Sequence, residues 1–441
     1  MKQATQVKDA DKKQIYNRLP YYRTAVLLAA GTGILLGANT PAKSALDIYS
    51  PTHKFVRSED NIYSANFSWG QFINPKLDLL AQAQEIDPLL LIQQDKTYGY
   101  INRQGRIVIR PKFDEAFDFQ EGRAAVRIKE HWGFIDLNGN LIIKPQFDSV
   151  GPFSEGRAWV VVGMKFGYID LTGKIVIRPQ YADAQDFSQG LAAVKQGKAP
   201  HEGYGFIDCS GKVVVPLTLN EVTNFSGGLA AVNQLGNISY IDPTGKPLIS
   251  LRLYNSGIYG DSDTFLFYEG LAPAIVDKDL NYGYIDKNFK FVIPVRFNWE
   301  KDGPPRRFSA GLLVIKLAGK YGYLDKANTI AIPPQFEMAM LFSEGLAAVK
   351  IAGKYGYIDR KGQVVIEPQF EEVNVFSEGL AAVKVGNKVG YINRVGKLVI
   401  PAQFEYNSSF DSMFKKGVAK VYLNGKPAYI DSMGNFIWRS K

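Results

Sequence analysis

One phrase recurs along most of this chain and limits what it can fold into. The phrase joins an aromatic–glycine pair, an acid, a turn, three β-branched residues and a proline, as in KYGYIDRKGQVVIEPQF at 354–370. Copies of the pair, some of them altered, begin at Tyr98, Trp132, Phe166, Tyr204, Ile238, Tyr282, Tyr321, Tyr355, Val389 and Pro427. Because the commonest spacing between copies is 34 residues, the chain is predicted to be an array of one structural unit.

The residues inside each unit indicate β-structure. Proline and glycine fall where a helix would need its interior, which excludes the helical hairpins that also repeat every 34 residues. Ile, Val, Tyr and Phe form short runs bounded by turn residues, as strands do. Each unit is therefore predicted to be a three-stranded antiparallel meander, for example 346–351, 355–359 and 363–367, with Pro368 ending the third strand.

The repeated acids are interpreted as turn residues. In the Asp-x-x-Gly sequence between the second and third strands, the acid accepts backbone N–H groups and the glycine adopts the left-handed conformation. The predicted structural turn residues include Asp136, Gly139, Asp170, Gly173, Asp359 and Gly362. The glutamates of the Phe-Ser-Glu-Gly bend, such as Glu155, are interpreted in the same way. Asp286 and Asp325 lack the glycine, so their hairpins are expected to differ in loop geometry.

The way the units assemble follows from their size. A single unit cannot bury enough apolar surface to fold alone, so neighbouring units must cover its faces. Ten units fit between a first strand near Leu89 and a last strand near Trp438, and no strand is left over at either end. This count favours an all-β, open and stacked array. Closure into a β-propeller is the alternative.

The combined signature resembles that of the WG-repeat proteins, a mainly bacterial family named for a Trp-Gly pair such as Trp132-Gly133. The shared elements are aromatic-Gly-aromatic-Ile-Asp, the turn glycine, Ile-Val-Ile-x-Pro-x-Phe and Phe-Ser-Glu-Gly, over about 350 of the 441 residues. The resemblance implies β-repeats and an interaction role rather than a reaction. It offers no catalytic motif to carry over.

The residues before the array predict export. Residues 24–38 are uncharged and follow a basic leader; they are short for a membrane span of about 20 residues but suit a secretory signal. Residues 1–44 are thus predicted to be a signal peptide, with a periplasmic or extracellular location; an uncleaved anchor at 24–38 and a buried core helix are the alternatives. Residues 45–88 are predicted to be a cap segment with one short helix, and residues 89–441 the repeat array.

Charge and cysteine content exclude several classes of function. The net charge is +9, but residues 1–44 hold seven basic and two acidic side chains, so 9 − 5 = +4 remains over the body. Such a small excess argues against nucleic-acid binding. Cys209 is the one cysteine, and the three histidines show no ligand spacing with it, so neither a metal nor another cofactor is predicted.

Departures from the repeat are the candidate binding sites, because structural units need no insertions. Insertions lie near His201, at 251–270 and at 296–308. The predicted binding residues are Tyr254, Tyr259, Asp261, Trp299, Arg306 and Arg307, since aromatic and arginine side chains usually anchor interfaces. Tolerated loop extensions are the alternative. Trp159 replaces a small residue of the first strand and is predicted to be either a surface or a packing residue.

No motif for catalysis is found: there is no phosphate-binding glycine loop, no serine elbow and no paired His–Glu metal motif. The chain is therefore predicted to be an exported, non-enzymatic binding or scaffold protein whose elongated β-repeat surface contacts protein or envelope-glycan partners. The alternative is a cell-envelope glycan hydrolase with carboxylates from adjacent units. Two inward carboxylates with a raised pKa in one groove would favour the hydrolase, and a flat aromatic-rich face would favour the binder.

Overall fold

The computed structural model describes residues 89–198, 201–235, 237–252, 266–276, 279–406 and 412–440. The predicted segments at 1–44 and 45–88 lie outside the described residues. Asp87–Lys441 forms one compact unit. In the described part of the chain, no helix is both long and apolar enough to cross a membrane.

Ten small antiparallel sheets, here called blades 1 to 10 in chain order, make up the described structure. Blade 1 contains β1 (Leu90–Gln94), β2 (Thr97–Ile101) and β3 (Ile107–Phe113). Blade 2 contains β4 (Glu115–Ala116), β5 (Ala124–Ile128), β6 (His131–Ile135) and β7 (Leu141–Phe147). Blade 3 contains β8 (Ser149–Val150), β9 (Arg157–Val162), β10 (Lys165–Asp170) and β11 (Ile175–Tyr181). Blade 4 contains β12 (Asp183–Ala184), β13 (Leu191–Lys198), β14 (His201–Asp208) and β15 (Val213–Leu219). Blade 5 contains β16 (Glu221–Val222), β17 (Ala230–Gln234), β18 (Asn237–Ile241) and β19 (Pro247–Arg252). Blade 6 contains β20 (Leu271–Ile275), β21 (Asn281–Asp286) and β22 (Phe291–Asn298).

A short helix, α1 (Trp299–Asp302), follows blade 6. Blades 7 and 8 contain β23 (Phe308–Ser309), β24 (Leu312–Leu317), β25 (Lys320–Asp325), β26 (Ile330–Phe336); and β27 (Met338–Ala339), β28 (Ala347–Ile351), β29 (Lys354–Ile358), β30 (Val364–Phe370). Blades 9 and 10 contain β31 (Leu380–Val385), β32 (Lys388–Asn393), β33 (Leu398–Glu405); and β34 (Val418–Leu423), β35 (Lys426–Asp431), β36 (Phe436–Arg439). The all-β prediction is confirmed.

Each blade contains the predicted meander of three strands, and six blades add a two-residue strand drawn from the connector before them. This fourth strand was not predicted. In blade 2, for example, Glu115 pairs with Arg127 and Ala116 with Val126. Two residues are too few to give a periodic sequence signal, so the pattern alone did not distinguish this strand from a loop.

The hydrophobic core lies between adjacent blades rather than inside each blade. One cluster, for example, joins Trp132 and Phe134 of blade 2 to Val160 and Ile169 of blade 3. Each blade therefore completes the core of its neighbour, as the size of the unit requires.

The first and last blades pack against each other in the same way. Ile92 and Ile101 of blade 1 share a buried cluster with Val418 and Tyr429 of blade 10. The Tyr429 hydroxyl donates a hydrogen bond to the Leu91 carbonyl oxygen at 2.7 Å. The described chain is thus a closed ring of ten blades, a β-propeller, which was the alternative to the favoured open array.

The closing contact explains why the number of strands in the sequence favoured an open array although the ring is closed. In the junction between blades 8 and 9, the connector residue Asn374 donates its N–H to the Ala382 carbonyl and accepts the Tyr357 hydroxyl. At the closing junction the hydroxyl of Tyr429 reaches the corresponding carbonyl, that of Leu91, directly. The ring therefore closes without a shared strand.

The hairpins at Asp286 and Asp325 have the same geometry as the others, so the expectation that they would differ is wrong. Phe289 and Asn328 occupy the glycine position, each with φ of 62°, and each donates its N–H to the carbonyl of the turn acid at 2.9 and 3.2 Å. Asparagine tolerates this conformation. The Phe289 ring packs against that of Tyr240 in the preceding blade, which offsets the backbone strain.

Candidate binding surface

Three of the six predicted binding residues, Tyr254, Tyr259 and Asp261, lie outside the described residues. The other three belong to the connector between blades 6 and 7. Trp299 begins α1, whose N-cap residue Asn298 accepts a hydrogen bond from the Lys301 N–H at 3.2 Å. The Trp299 side chain is half-buried and packs on the core cluster shared by blades 5, 6 and 7. Its position is that of a packing residue at the edge of the core.

Arg306 and Arg307 stack on tyrosines of different blades. The Arg306 guanidinium lies 5.5 Å from the ring centre of Tyr321 in blade 7, and that of Arg307 lies 5.1 Å from Tyr268 at the start of blade 6. Both arginines are half-buried. The Tyr284 hydroxyl also fixes the backbone of Arg306, donating to its carbonyl at 2.7 Å and accepting its N–H at 3.1 Å. These contacts hold the connector onto the ring.

Trp159 is a packing residue, with 6% of its surface exposed. A Cβ atom at position 151 would overlap the indole ring, so Gly151 makes the space that Trp159 fills. Beside it lies the carboxyl of Asp186, where burial raises the pKa to about 7 and the neighbouring Trp159 N–H lowers it in part. Neither the indole Nε1 nor Oδ1 of Asp186 has a hydrogen bond of good geometry.

The glutamates of the Phe-Ser-Glu-Gly bends join neighbouring blades. The Glu121 carboxylate accepts the N–H groups of Glu155 and Gly156 at 2.8 and 2.9 Å, and Glu155 accepts those of Gln189 and Gly190 at 2.7 and 2.8 Å. Each glutamate adopts a left-handed conformation, as Glu155 does with φ of 53°. The sequence indicated a structural role for these acids, but did not reveal that their partners lie one blade away.

The turn acids also bind backbone groups. Oδ1 of Asp136 accepts the N–H groups of Asn138 and Asn140 at 2.9 Å each, and Gly139 has φ of 82°. Burial alone would raise the pKa of Asp136, but hydrogen bonds from Asn140 and Asn138 lower it below its ordinary value. Asp170 shows the same balance, with Thr172 and Lys174 as its donors.

The two ends of the blades form two faces of the ring, which we define by their loops. The turn face carries the Asp-x-x-Gly turns and the Phe-Ser-Glu-Gly bends. The hairpin face carries the turns between the first and second strands, where cations lie over aromatic rings, as Lys350 does over Tyr355 at 5.2 Å. No group of three His, Cys, Asp or Glu side chains that could hold a metal ion occurs on either face among the described residues.

A cavity of about 340 Å³ lies on the turn face where blade 10 meets blade 1. It is lined by Arg103, Gln104, Lys416, Gly417, Val418, Asp431, Phe436 and Ile437. Its two cations come from opposite ends of the repeat array, which is why inspection of the sequence missed it. A second cavity, of about 660 Å³, lies beside β36 at the edge of blade 10.

The fold and its faces define a class: a closed ring of repeated β-blades in which the repeated acids bind backbone groups. Within that class, the sequence profile of the WG-containing repeat matches residues 98–130, 132–165, 166–198, 204–237, 282–321, 321–355, 355–388 and 390–426. These matches span more than half of the chain. The protein therefore belongs to the WG-repeat family, and the resemblance seen in the sequence is confirmed. No curated protein matches the sequence.

Similar solved structures include a eukaryotic initiation factor, with 11% identity, a TM-score of 0.44, and coverage of 73% of this chain and 96% of the other. The dihydro-haem d1 dehydrogenase NirN has 11% identity, a TM-score of 0.35 and coverage of 81% and 74%. AztD from Citrobacter koseri has 10% identity, a TM-score of 0.29 and coverage of 72% and 95%. Because these scores are low, none of these proteins lends its function to this chain.

Proposed function

We propose that the protein is an exported, non-enzymatic scaffold whose ring surface binds protein or envelope-glycan partners. One observation carries the proposal: the acids of the repeated motif hold backbone N–H groups of their own or the neighbouring blade. A carboxylate held in this way stabilises the ring and is a poor general acid or base. The repeated residues therefore maintain a platform, and binding falls to the residues that depart from the repeat.

The hydrolase alternative needs two carboxyl groups on either side of one substrate. Among the described residues, Asp186 is the carboxyl whose pKa is raised; the residue is half-buried, and its Oδ1 is enclosed beside Trp159. No second carboxyl with a raised pKa accompanies it in the described part of the chain, so the pair that a hydrolase needs is not formed there. The packing of its Oδ1 beside Trp159 supports a structural role for Asp186 and favours the scaffold proposal.

The proposal is tested with the full chain, immobilised and incubated with cell-envelope extract. We expect it to retain defined protein or glycan partners and to release no reducing sugar from purified envelope glycan. Turnover of that glycan, at a rate proportional to protein concentration, would overturn the proposal. Export is tested by fractionation of cells producing the full chain, since the signal predicted at 1–44 places it outside the cytoplasm.

The predicted binding residues receive a separate test in the same assay. A variant combining Tyr254→Ala, Tyr259→Ala and Asp261→Asn is compared with one combining Lys174→Gln and Lys212→Gln on the turn face. Loss of the partners in the first variant alone would support the predicted insertion as the contact surface. Equal capture by both variants would show that partners bind elsewhere on the ring.

A further inference from the structure

The charge of the turn face is unevenly distributed around the ring. In blades 2 to 8, the bends and turns carry ten cations (Arg123, Arg157, Lys174, Lys212, Lys246, Lys287, Lys290, Lys326, Arg360, Lys361) and eleven acids (Glu121, Asp136, Glu155, Asp170, Asp208, Asp242, Glu269, Asp286, Asp325, Glu344, Asp359). In blades 9, 10 and 1 they carry six cations (Arg394, Lys397, Lys415, Lys416, Arg103, Arg106) and two acids (Glu378, Asp431). The net charge of these bends and turns is therefore 10 − 11 = −1 in blades 2 to 8 and 6 − 2 = +4 in blades 9, 10 and 1.

Three departures from the repeat produce this excess. The turn acid is Asp in seven consecutive blades, but Asn102 and Asn393 replace it in blades 1 and 9. The glutamate of the bend is replaced by Lys416 in blade 10. Both asparagines still accept the turn N–H groups, as Asn102 Oδ1 does from Gln104 and Arg106 at 3.1 and 2.9 Å. The turn is therefore preserved while the negative charge is lost.

Two of these three blades, 10 and 1, line the 340 Å³ cavity. Its lining residues Arg103 and Lys416 face it from the two sides of the closing junction, one from blade 1 and one from blade 10. Phe436 and Ile437 supply an apolar wall, while Gln104 and Asp431 supply polar groups. A volume of this size lies in the range of small-ligand sites, which combine apolar walls with a few polar groups.

The lining residues indicate the class of ligand. A guanidinium group binds a carboxylate or a phosphate through two parallel hydrogen bonds. Asp431 in the same wall disfavours a dianion such as phosphate, although its oxygens already accept hydrogen bonds from Met433 and Asn435. The Gln104 amide, also in the lining, is a hydrogen-bonding partner for hydroxyl groups. The exposed ring of Phe436 (36% of its surface) suits the apolar face of a pyranose. Taken together, these groups fit a monoanionic, hydroxylated ring, that is, a sugar carboxylate.

We propose that the closing junction of the ring binds the carboxylate of an acidic sugar, with Arg103 and Lys416 as its cationic contacts. This inference rests on the proposed scaffold function and names one partner class, an acidic glycan. Ring closure creates the site, because it brings position 103 next to position 416. No other junction in the described ring pairs a lysine at the bend with an arginine at the following turn.

The test uses the full chain and a tri-galacturonate probe, with binding measured by calorimetry at low and at physiological salt. Maltotriose controls for the sugar without the charge, and inorganic phosphate controls for the charge without the sugar. We expect tri-galacturonate to bind more tightly than either, with an affinity that falls as salt is added. Tighter binding of phosphate or equal binding of maltotriose would overturn the proposal.

Two variants test the named contacts. Lys416→Glu restores the residue that the bend carries in five other blades, so the ring is expected to fold, and we expect a loss of binding of about tenfold or more from reversing a charge at the site. Arg103→Gln should have a similar effect. Arg360→Gln is the matched control, because Arg360 occupies the same turn position in blade 8, away from the closing junction.

The outcomes separate this inference from the scaffold proposal. If folded Lys416→Glu, with its melting temperature unchanged, binds tri-galacturonate like the unaltered protein, the site is wrong, whatever the envelope extract yields. If it loses tri-galacturonate but retains other envelope partners, the site is right and a second surface also binds. An equal loss of affinity in Arg360→Gln would show a diffuse charge effect and overturn the assignment.

Discussion

Gly356 lies directly under the nitrogen of Pro368: a Cβ atom at position 356 would be 2.7 Å from that nitrogen and closer still to the Ile366 carbonyl oxygen. The third strand bulges here, since Tyr355 pairs with Phe370 while Tyr357 pairs with Ile366. Residues 367–369 therefore face one glycine. Because glycine has no side chain, it leaves room for the bulge that contains the proline. This is a specific form of the close approach predicted from the sequence.

Blades 5 and 10 confirm the link between the two residues. Both lack the glycine, with Ser239 and Ala428 in its place, and both lack a proline at either of the two bulge positions where the other blades carry one, those of Glu367 and Pro368 in blade 8. Their ladders are continuous there, since Ser239 pairs with Ser250 and Ala428 with Arg439. Glycine and proline are thus lost together, and the bulge disappears with them.

We therefore expect Gly356→Ala to destabilise the protein by about 1–3 kcal/mol, because the added methyl group overlaps backbone atoms that cannot move independently. Adding Pro368→Ser places the residue of blade 10 at this position, where Ser440 corresponds to Pro368, and lets the third strand pair regularly. The double variant should lose less stability than the two single variants combined, as measured by denaturant unfolding. Additive losses would contradict the pairing of the two residues.

Glu155→Ala should weaken the contact between blades 3 and 4. The substitution removes the acceptor of two backbone N–H groups, at a cost of about 1 kcal/mol, since water can replace it at this exposed site. Glu155→Gln should cost less, because Gln189 plays the same part for the Gly228 N–H at 2.8 Å. Thermal unfolding of the three proteins provides the measurement. If Glu155→Ala and Glu155→Gln lowered the melting temperature equally, the glutamine amide oxygen would not replace the carboxylate as the acceptor of these N–H groups.

Asp186 should make stability depend on pH. Its pKa is raised to about 7 in the folded protein by burial, whereas an unfolded aspartate has a pKa near 3.9. The folded state therefore favours the protonated form, so the stability is fully present below about pH 4 and falls as the pH rises towards 7. The linked loss is of the order of 4 kcal/mol.

The test for this pH dependence is Asp186→Asn, which keeps the shape without the titration. The difference in unfolding free energy between the variant and the unaltered protein should grow from pH 4 to pH 8, in favour of the variant. A difference that stays constant over this range would contradict the raised pKa.

Tyr429→Phe should loosen the closing junction. The variant loses the hydrogen bond to Leu91 at a cost of about 1 kcal/mol, at the one junction of the described ring that no peptide connector crosses. Hydrogen exchange should therefore accelerate in β1 and β36. Tyr357→Phe is the control, because its hydroxyl bonds to Asn374 within a continuous stretch of chain. Similar exchange in both variants would show that the closing junction is no weaker than the others.

The sequence predicted the parts that depend on local pattern. The three-stranded unit follows from alternation and turn residues, and the family follows from the combined motif. Closure was predicted only as the alternative to an open array, because contacts such as Tyr429 with Leu91 join residues that the sequence places at opposite ends. For the same reason the cavity between Arg103 and Lys416 was missed, although the loss of acid at Asn102 and Asn393 was visible in the sequence.

Trp299 and Arg306 show that residue type alone does not distinguish a binding residue from a residue that packs on the ring. Their residue types and their place in an insertion predict an interface, and this stays a prediction. In the structure both side chains also contact the ring, Trp299 on the core cluster and Arg306 over Tyr321. Residues that contact a partner and residues that attach a loop to the ring are of the same types, since both bury an aromatic ring or stack a guanidinium group. Only the position of neighbouring side chains, such as Tyr321 beneath Arg306, distinguishes the two.

The closing junction has a consequence for how this ring tolerates rearrangement of its chain. Because β1 and β36 already meet at the closing junction, a linker as long as the other connectors, combined with a new break in one of those connectors, would give a circular permutant with the same ten blades. The order in which the blades are made would change, while the folded ring would keep every contact except those at the new break.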